Sequence, residues 1–393
     1  MFELVPQDFQ AMTIFLQEMV RTPSLSTQEE EMATRLAQEM RQVGISDVRV
    51  DRIGNVIGRI GSGSGKKLLL DGHMDVVGVG DPTAWSREPF GAEVENGVLY
   101  GRGSVDMKGG LAAMVYAAKM LLDAETPLNG DLYIVGVVQE EPCEGLGIKT
   151  LVEQEGLQPD WVVLGEPTNL QISQGHRGRI EMRVTVHGKA SHASAPHRGE
   201  NAIYGAARII FGLEMLAGQL TKDRLLGQGS LAVTQIESMA GSRNAVPDKC
   251  NFYIDRRLTL GETEAKALAE VEGVILRENL HASVEVTEYR ATSYTGYEAR
   301  QYEYFPAWAM DEDHPLVQAA FQAVRKTLGY PPRIQLWSFS TDGTYTMGTA
   351  GIPTVGFGPG QERYAHTSEE QIRLKDVAAA ARVYAQMALD LLR

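Results

Sequence analysis

The sequence predicts an α/β domain interrupted by a smaller α+β domain. Two observations carry this. In both end segments, short apolar runs alternate with helical periods, the texture of a sheet buried on both faces. Between them, from about residue 178, strands alternate apolar and polar residues with period two. They follow the order β-α-β-β-α-β, a ferredoxin-like pattern. The predicted boundaries are 1–177 and 294–393 for the α/β domain and 178–293 for the insertion.

Taken in order, Phe9, Met12, Phe15, Leu16 and Met19 recur at helical spacing and predict a helix over 7–20. A second helix covers 27–42. Strands follow at Val48–Val50 and Val56–Ile60, and the glycine–serine run 61–65 makes a turn. Leu68–Leu70 reads as a short buried strand. Asn96-Gly97 between Val94–Glu95 and Val98–Tyr100 signals a hairpin. The Ala- and Met-rich segment 107–122 predicts a helix; Leu132–Val138 and Trp161–Leu164 predict strands. In the insertion, strands are expected at 180–186, 231–237, 250–257 and 283–289, with helices at 200–218 and 262–279. The Tyr-rich stretch 291–310 has no period and is expected to be irregular. A helix at 315–328, a strand near Thr354–Phe357 and a helix over 373–392 complete the chain.

Composition narrows the function. A net charge of −14 over 393 residues argues against a nucleic-acid partner. Two cysteines, Cys143 and Cys250, suggest no disulfide framework and a reducing compartment. Met1–Pro6 lacks the basic start and long apolar run of a signal peptide, and no stretch reaches the ~18 apolar residues of a spanning helix. The expectation is a cytoplasmic protein with no membrane partner.

The informative pattern is where His and acidic residues fall. Leu68–Leu70 runs into Asp71-Gly72-His73-Met74-Asp75, Leu132–Val138 into Gln139-Glu140-Glu141, and Trp161–Leu164 into Gly165-Glu166. Ligands of an open α/β sheet bind outside the carboxyl ends of its strands, so the three can converge. Asp106 precedes a predicted helix in a glycine-rich segment, and His366 lies in a loop beyond the last predicted strand. Two His and several carboxylates suit zinc, with manganese or cobalt as substitutes. Two metals ~3.5–4 Å apart need a bridging carboxylate. The doublet Glu140-Glu141 offers one acid for a general base and one for a metal. If the strand continues past His73, Asp75 shares its face and could orient the imidazole. Singly, each acidic residue reads equally as a solvated turn or helix-start charge, and His366 as a surface residue.

Several other motifs fail. Ile60 and Lys67 stand where a phosphate loop needs Gly and Ser or Thr. Thr83 replaces the third glycine of a dinucleotide fingerprint after Gly78-Val79-Gly80. There is no Gly-x-Ser-x-Gly elbow and no His-Glu-x-x-His.

Together, Asp71–Asp75, Gly101–Gly110 (GRGSVDMKGG), Glu140-Glu141 and Gly165-Glu166-Pro167-Thr168 resemble the M20 metallopeptidase family. The resemblance spans nearly the whole chain and points to the acetylornithine deacetylase and succinyl-diaminopimelate desuccinylase branch. Within it, the chain is similar to uncharacterised hydrolases associated with selenium and purine metabolism. It implies a zinc-peptidase-like catalytic domain with an inserted lid and dimerisation domain. It implies two zinc ions, His73 and Glu166 holding one, Glu141 and His366 the other, and Asp106 bridging both. Glu140 would be the general base, with Asp75 supporting His73. The motif Gly188–Pro196 would carry His192 across a homodimer to stabilise the oxyanion in the partner's site. Arg177, Asn244 and Arg257 would contact the substrate carboxylate or acyl group. The implied reaction is hydrolysis of an amide bond in a small N-acyl amino acid, or alternatively in a short peptide; a silent binding protein of the same fold is the third reading. The Tyr-rich stretch 291–310 and Trp337–Gly343 would line the pocket or pack a hinge, and Gly356–Gly360 would bring backbone N–H groups near the site or form a simple turn.

Overall fold

The computed structural model describes residues 2–393. Its main sheet runs Asp47–Val50, Val56–Gly61, Asp131–Val137, Lys67–His73, Trp161–Leu164, Thr354–Gly356, Ile172–His176 and Trp308–Ala309, and Ile334–Trp337 also pairs with Ile172–His176. At its centre, Lys67–His73 lies parallel to both Asp131–Val137 and Trp161–Leu164, with Leu70 opposite Ile134 and Val163. Leu68, Leu69 and Leu70 have no exposed surface, as an unbroken apolar run in a sheet covered on both faces requires.

Helices supply the cover. Gly109–Asp123 is buried along most of its length and packs on Leu374–Leu391. Ala and Gly on its surface, rather than an amphipathic stripe, fit a helix enclosed on all sides. Pro6–Arg21 and Pro315–Leu328 both begin with Pro, whose missing N–H costs nothing in a first turn. Gly329 ends the latter helix at φ +79°, a left-handed conformation that glycine adopts without strain.

A second sheet has its own core. Its order is Ser230–Glu237, Lys249–Leu258, Gly178–His187 and Ala282–Val286, with Tyr304–Phe305 also paired to Gly178–His187. Gly178–His187 alternates buried and less buried residues, as period two demands. Ile180, Met182, Val184, Phe252 and Ile254 face helices Ala202–Ala217 and Glu264–Arg277 on the covered side. Asn201 and Thr263 cap those helices by accepting backbone N–H groups. The order strand, helix, strand, strand, helix, strand is that of the sequence pattern.

The Tyr-rich stretch departs from expectation. Glu288–Thr292 and Glu298–Tyr302 form a regular hairpin. Its tyrosines anchor it to the α/β domain: the Tyr294 hydroxyl donates to Gly54 O at 2.8 Å and the Tyr289 hydroxyl to Gln139 Oε1 at 2.9 Å. Hydroxyl partners far away in sequence leave no local period, so the stretch looked irregular. Helix Leu146–Glu153 and strands Ile172–His176 and Ile334–Trp337 also went unforeseen. Among the described residues, no helix is long and apolar enough to cross a membrane.

Candidate active site

Asp71-Gly72-His73, Val137 and Leu164 all reach the same edge of the main sheet, where parallel strands end in register. Around that edge His73, Asp106 and Glu166 place one ligand atom each within 4.8 Å of one another, and so do Asp106, Glu141 and His366. Asp106 belongs to both groups. One of its oxygens, Oδ1, lies 3.0 Å from His73 Nε2; the other, Oδ2, lies 3.2 Å from His366 Nε2. Glu166 Oε1 is 3.6 Å from His73 Nε2, and Glu141 Oε2 is 3.0 Å from His366 Nε2. The donor set, two imidazoles and three carboxylates split into overlapping triads, fits two cations sharing a bridge. Glu141 Oε1 is buried with no hydrogen-bond donor, an acceptor left for a cation.

The backbone around Asp106 is held from below. Glu370 Oε1 accepts the N–H of Val105 at 3.1 Å and of Asp106 at 3.2 Å, while its Oε2 takes Arg102. The loop after Trp161–Leu164 is fixed by Thr168, whose hydroxyl accepts from Gly358 N and donates to Gly358 O, both at 3.0 Å. A side chain at Gly358 would meet the carbonyl of Gly165 at 2.2 Å, so only glycine fits this approach. The turn Gly356–Gly360 thus packs the Glu166 loop in place.

Asp75 differs from expectation. The strand ends at His73, so the alternation stops and the Asp75 carboxylate turns toward the acidic doublet. His73 Nδ1 bonds the backbone oxygen of Asp75 at 2.9 Å, and the carboxylate lies 3.7 Å away. That carboxylate accepts the N–H of Glu140 at 3.1 Å and of Glu141 at 3.2 Å, plus the Ser26 hydroxyl at 2.6 Å. Glu29 Oε1 accepts the preceding N–H, that of Gln139, at 3.1 Å. Three successive N–H groups are therefore held by two buried carboxylates.

Electrostatics among these side chains follow from crowding. Burial raises the carboxyls of Glu140, Glu141 and Glu166, and for Glu141 and Glu166 the charge of Asp106 adds to it. Burial acts on Asp106 too, but bonds from His366 and His73 hold it well below the usual range. His366 is pushed up to about 10 by Asp106 and Glu141. A cluster that needs borrowed protons to coexist is one that cations would relieve.

A cavity of 330 Å³ opens over this centre, lined by Glu140, Glu144, Arg179, Arg257, Phe339 and Glu362 among others. Of the expected substrate contacts, Arg257 lines it, held by Asp255 at 2.8 and 3.1 Å. Arg177 lies outside it, donating through Nε to Leu226 O at 2.8 Å. Asn244 is exposed beside Ser242. His192 is exposed, bonded to Ser194 and not part of this cavity. Sequence reasoning missed Arg179, which pairs with Glu144 at 2.6 Å across the cavity wall, and Glu362, four residues before His366. Phe339 and Ser340 line the cavity, whereas Trp337 is buried and fills the space over Gly356. A larger groove of 720 Å³ lies between the first two helices, but its Arg35 is already shared by Glu18 and Glu39 at 2.7 Å each, so it offers no comparable chemistry.

The fold and the paired ligand groups define a metallohydrolase. The model of peptidase family M20/M25/M40 matches residues 69–390, and the chain belongs to that family of hydrolases acting on amide bonds. Protein YgeY of Escherichia coli (strain K12), uncharacterised, is 40% identical over 385 residues, covering 98% of this chain and 95% of its own. A succinyl-diaminopimelate desuccinylase of Methylorubrum extorquens is 29% identical over 400 residues, covering 94% of this chain and 96% of its own. Among solved structures, an M20 family metallo-carboxypeptidase from Sulfolobus solfataricus superposes with a TM-score of 0.78 at 20% identity, over 97% of this chain and 99% of that one. A dinuclear metal binding peptidase of the M20 family from Bacillus subtilis gives 0.68 at 18%, over 98% and 99%.

Proposed function

We propose that this enzyme hydrolyses the amide bond of a small N-acyl amino acid with two divalent cations, zinc or in its place cobalt or manganese. His73, Asp106 and Glu166 would hold one, and Asp106, Glu141 and His366 the other. Bound there, the ions supply a polarised carbonyl and a water whose pKa falls toward ~7. The observation that carries the reading is the pair of overlapping triads on Asp106. The dinuclear peptidase from Bacillus subtilis supports it.

Glu140 is the general base. Its carboxyl lines the cavity, its backbone is fixed by Asp75, and burial raises its pKa. A raised carboxyl can take a proton from water and return it to the leaving amine. By the family resemblance, His192 acts in the cavity of a second copy, donating to the developing oxyanion; its exposure outside its own chain's cavity is compatible with that role. The residues 178–293 form the mobile lid and dimerisation domain of this reading. A dipeptide is an N-acyl amino acid whose acyl group carries an amine, and Glu362 in the cavity wall favours that second reading.

The test is amine release from a panel of N-acyl amino acids and dipeptides by zinc- or cobalt-loaded enzyme. Glu140→Ala should lower kcat by about 10²- to 10⁴-fold with metal content intact. Release that persists in that variant would remove Glu140 from its role. No release at all from enzyme with two verified ions would overturn the hydrolase assignment for these substrates.

A further inference from the structure

We infer that the cavity selects substrates carrying a free ammonium group, which the carboxylate of Glu362 receives. This rests on the amide-hydrolase reading above and narrows it to a substrate class.

Outside the ligand triads and Glu140, the charged side chains of the cavity wall are Glu144, Arg179, Arg257 and Glu362. Arg179 is matched by Glu144, with Nη2 to Oε2 at 2.6 Å. Arg257 is matched by Asp255 at 2.8 Å. Glu362 has no such partner. Its one side-chain bond is from the Ser338 hydroxyl at 3.3 Å, and no cation among the described residues comes within salt-bridge reach. Arg363, next in the chain, spends its guanidinium on the ring and hydroxyl of Tyr364. Glu362 is therefore the one of these charged side chains without an ion-pair partner, set at the start of the short turn Glu362–Tyr364 that leads to His366 in the same lining.

Glu362 is exposed at the rim of the cavity, with part of its side chain covered by the wall. Burial raises the Glu362 carboxyl, the Ser338 bond opposing and the charge of Asp106 adding to the rise. A substrate ammonium at this wall would relieve the cost and form a charge-assisted hydrogen bond. A neutral acyl group gains nothing there, and an anionic one is repelled. Arg257 keeps guanidinium N–H groups beyond those given to Asp255, so a substrate carboxylate can be met on the same wall.

Two substrate pairs test this, one member of each carrying an ammonium that the other lacks: alanyl-alanine with its N-acetyl derivative, and Nα-acetyl-lysine with Nα-acetyl-norleucine. The wild type should prefer the ammonium member of at least one pair by about 10-fold or more in kcat/KM. Glu362→Gln should raise KM for that member by a similar factor and for its neutral mate by far less, so that the preference is lost. Glu362→Lys should invert the preference. An absent preference, or one that survives Glu362→Gln, overturns the inference. Failure of the hydrolase reading looks different, as no turnover of any of the four. In that event calorimetry of alanyl-alanine and its N-acetyl form against Glu140→Ala, with and without Glu362→Gln, reads the same preference from binding. Equal affinity throughout would then sink it.

Discussion

The carboxylate of Asp75 accepts the backbone N–H of Glu140 at 3.1 Å, so one fully buried acid sets the position of the proposed base. The adjoining N–H of Glu141 takes its other oxygen at 3.2 Å. Asp75→Asn would turn an amide NH₂ toward one of these two donors and leave that N–H unpaired. Glu140 or Glu141 must then shift. A fall in kcat of about 10- to 100-fold is expected, with His73 still oriented through the Asp75 backbone oxygen. Steady-state kinetics with metal analysis checks this; unchanged kcat would mean the doublet is positioned without Asp75.

Sharing of Asp106 predicts a pattern of metal loss. His73→Ala and His366→Ala should each remove mainly one ion, because each imidazole belongs to one triad. Asp106→Ala should weaken both. Metal content after dialysis is the measurement. Loss of a single ion from the Asp106 variant would contradict a bridge.

Glu29 predicts a pH effect on stability. Burial, with the charge of Asp75, pushes its carboxyl up to about 8 from the ordinary 4.5. Between those values the folded chain holds a proton that the unfolded chain has lost. Stability from this group is thus present at low pH and lost as pH rises toward 8. Glu29→Gln keeps an oxygen for the Gln139 N–H and has no proton to lose. The Tm of Glu29→Gln relative to wild type should therefore climb between about pH 5 and pH 8, by on the order of a few degrees. A flat difference across that range would contradict a proton on Glu29.

His192 predicts complementation. In the proposed dimer, Glu140→Ala and His192→Ala should each be nearly inactive alone. Mixed and re-equilibrated, they should regain about a quarter of wild-type activity, since half the dimers are hybrids and each has one intact site. No recovery would place His192 outside the partner's cavity.

Three of the candidate ligands, His73, Glu141 and Glu166, were legible because each ends or follows a strand with an unmistakable apolar run. Leu68–Leu70 leads to His73, Leu132–Val138 to Glu140 and Glu141, and Trp161–Leu164 to Glu166. Period-two alternation in Ile180–Val186 likewise announced the second sheet. The hold of the Asp75 carboxylate on Glu140 and Glu141 was not legible, because it depended on where the strand stopped, and strand ends are set by pairing with Val137 and Leu164 rather than by local propensity.

The sequence by itself determined the α/β texture, the inserted ferredoxin-like order and the set of metal-capable side chains. These depend on periodicity and on residue identity, which are local. Tertiary structure alone decided that Asp75 holds the doublet and Glu29 the N–H before it, that Arg179 faces Glu144, and that Glu362 stands without an ion-pair partner in the wall. Each is a contact between segments far apart in the chain, or the lack of one. A side chain's charge is written in the sequence, but whether that charge is balanced depends on which neighbours folding brings within a few ångströms.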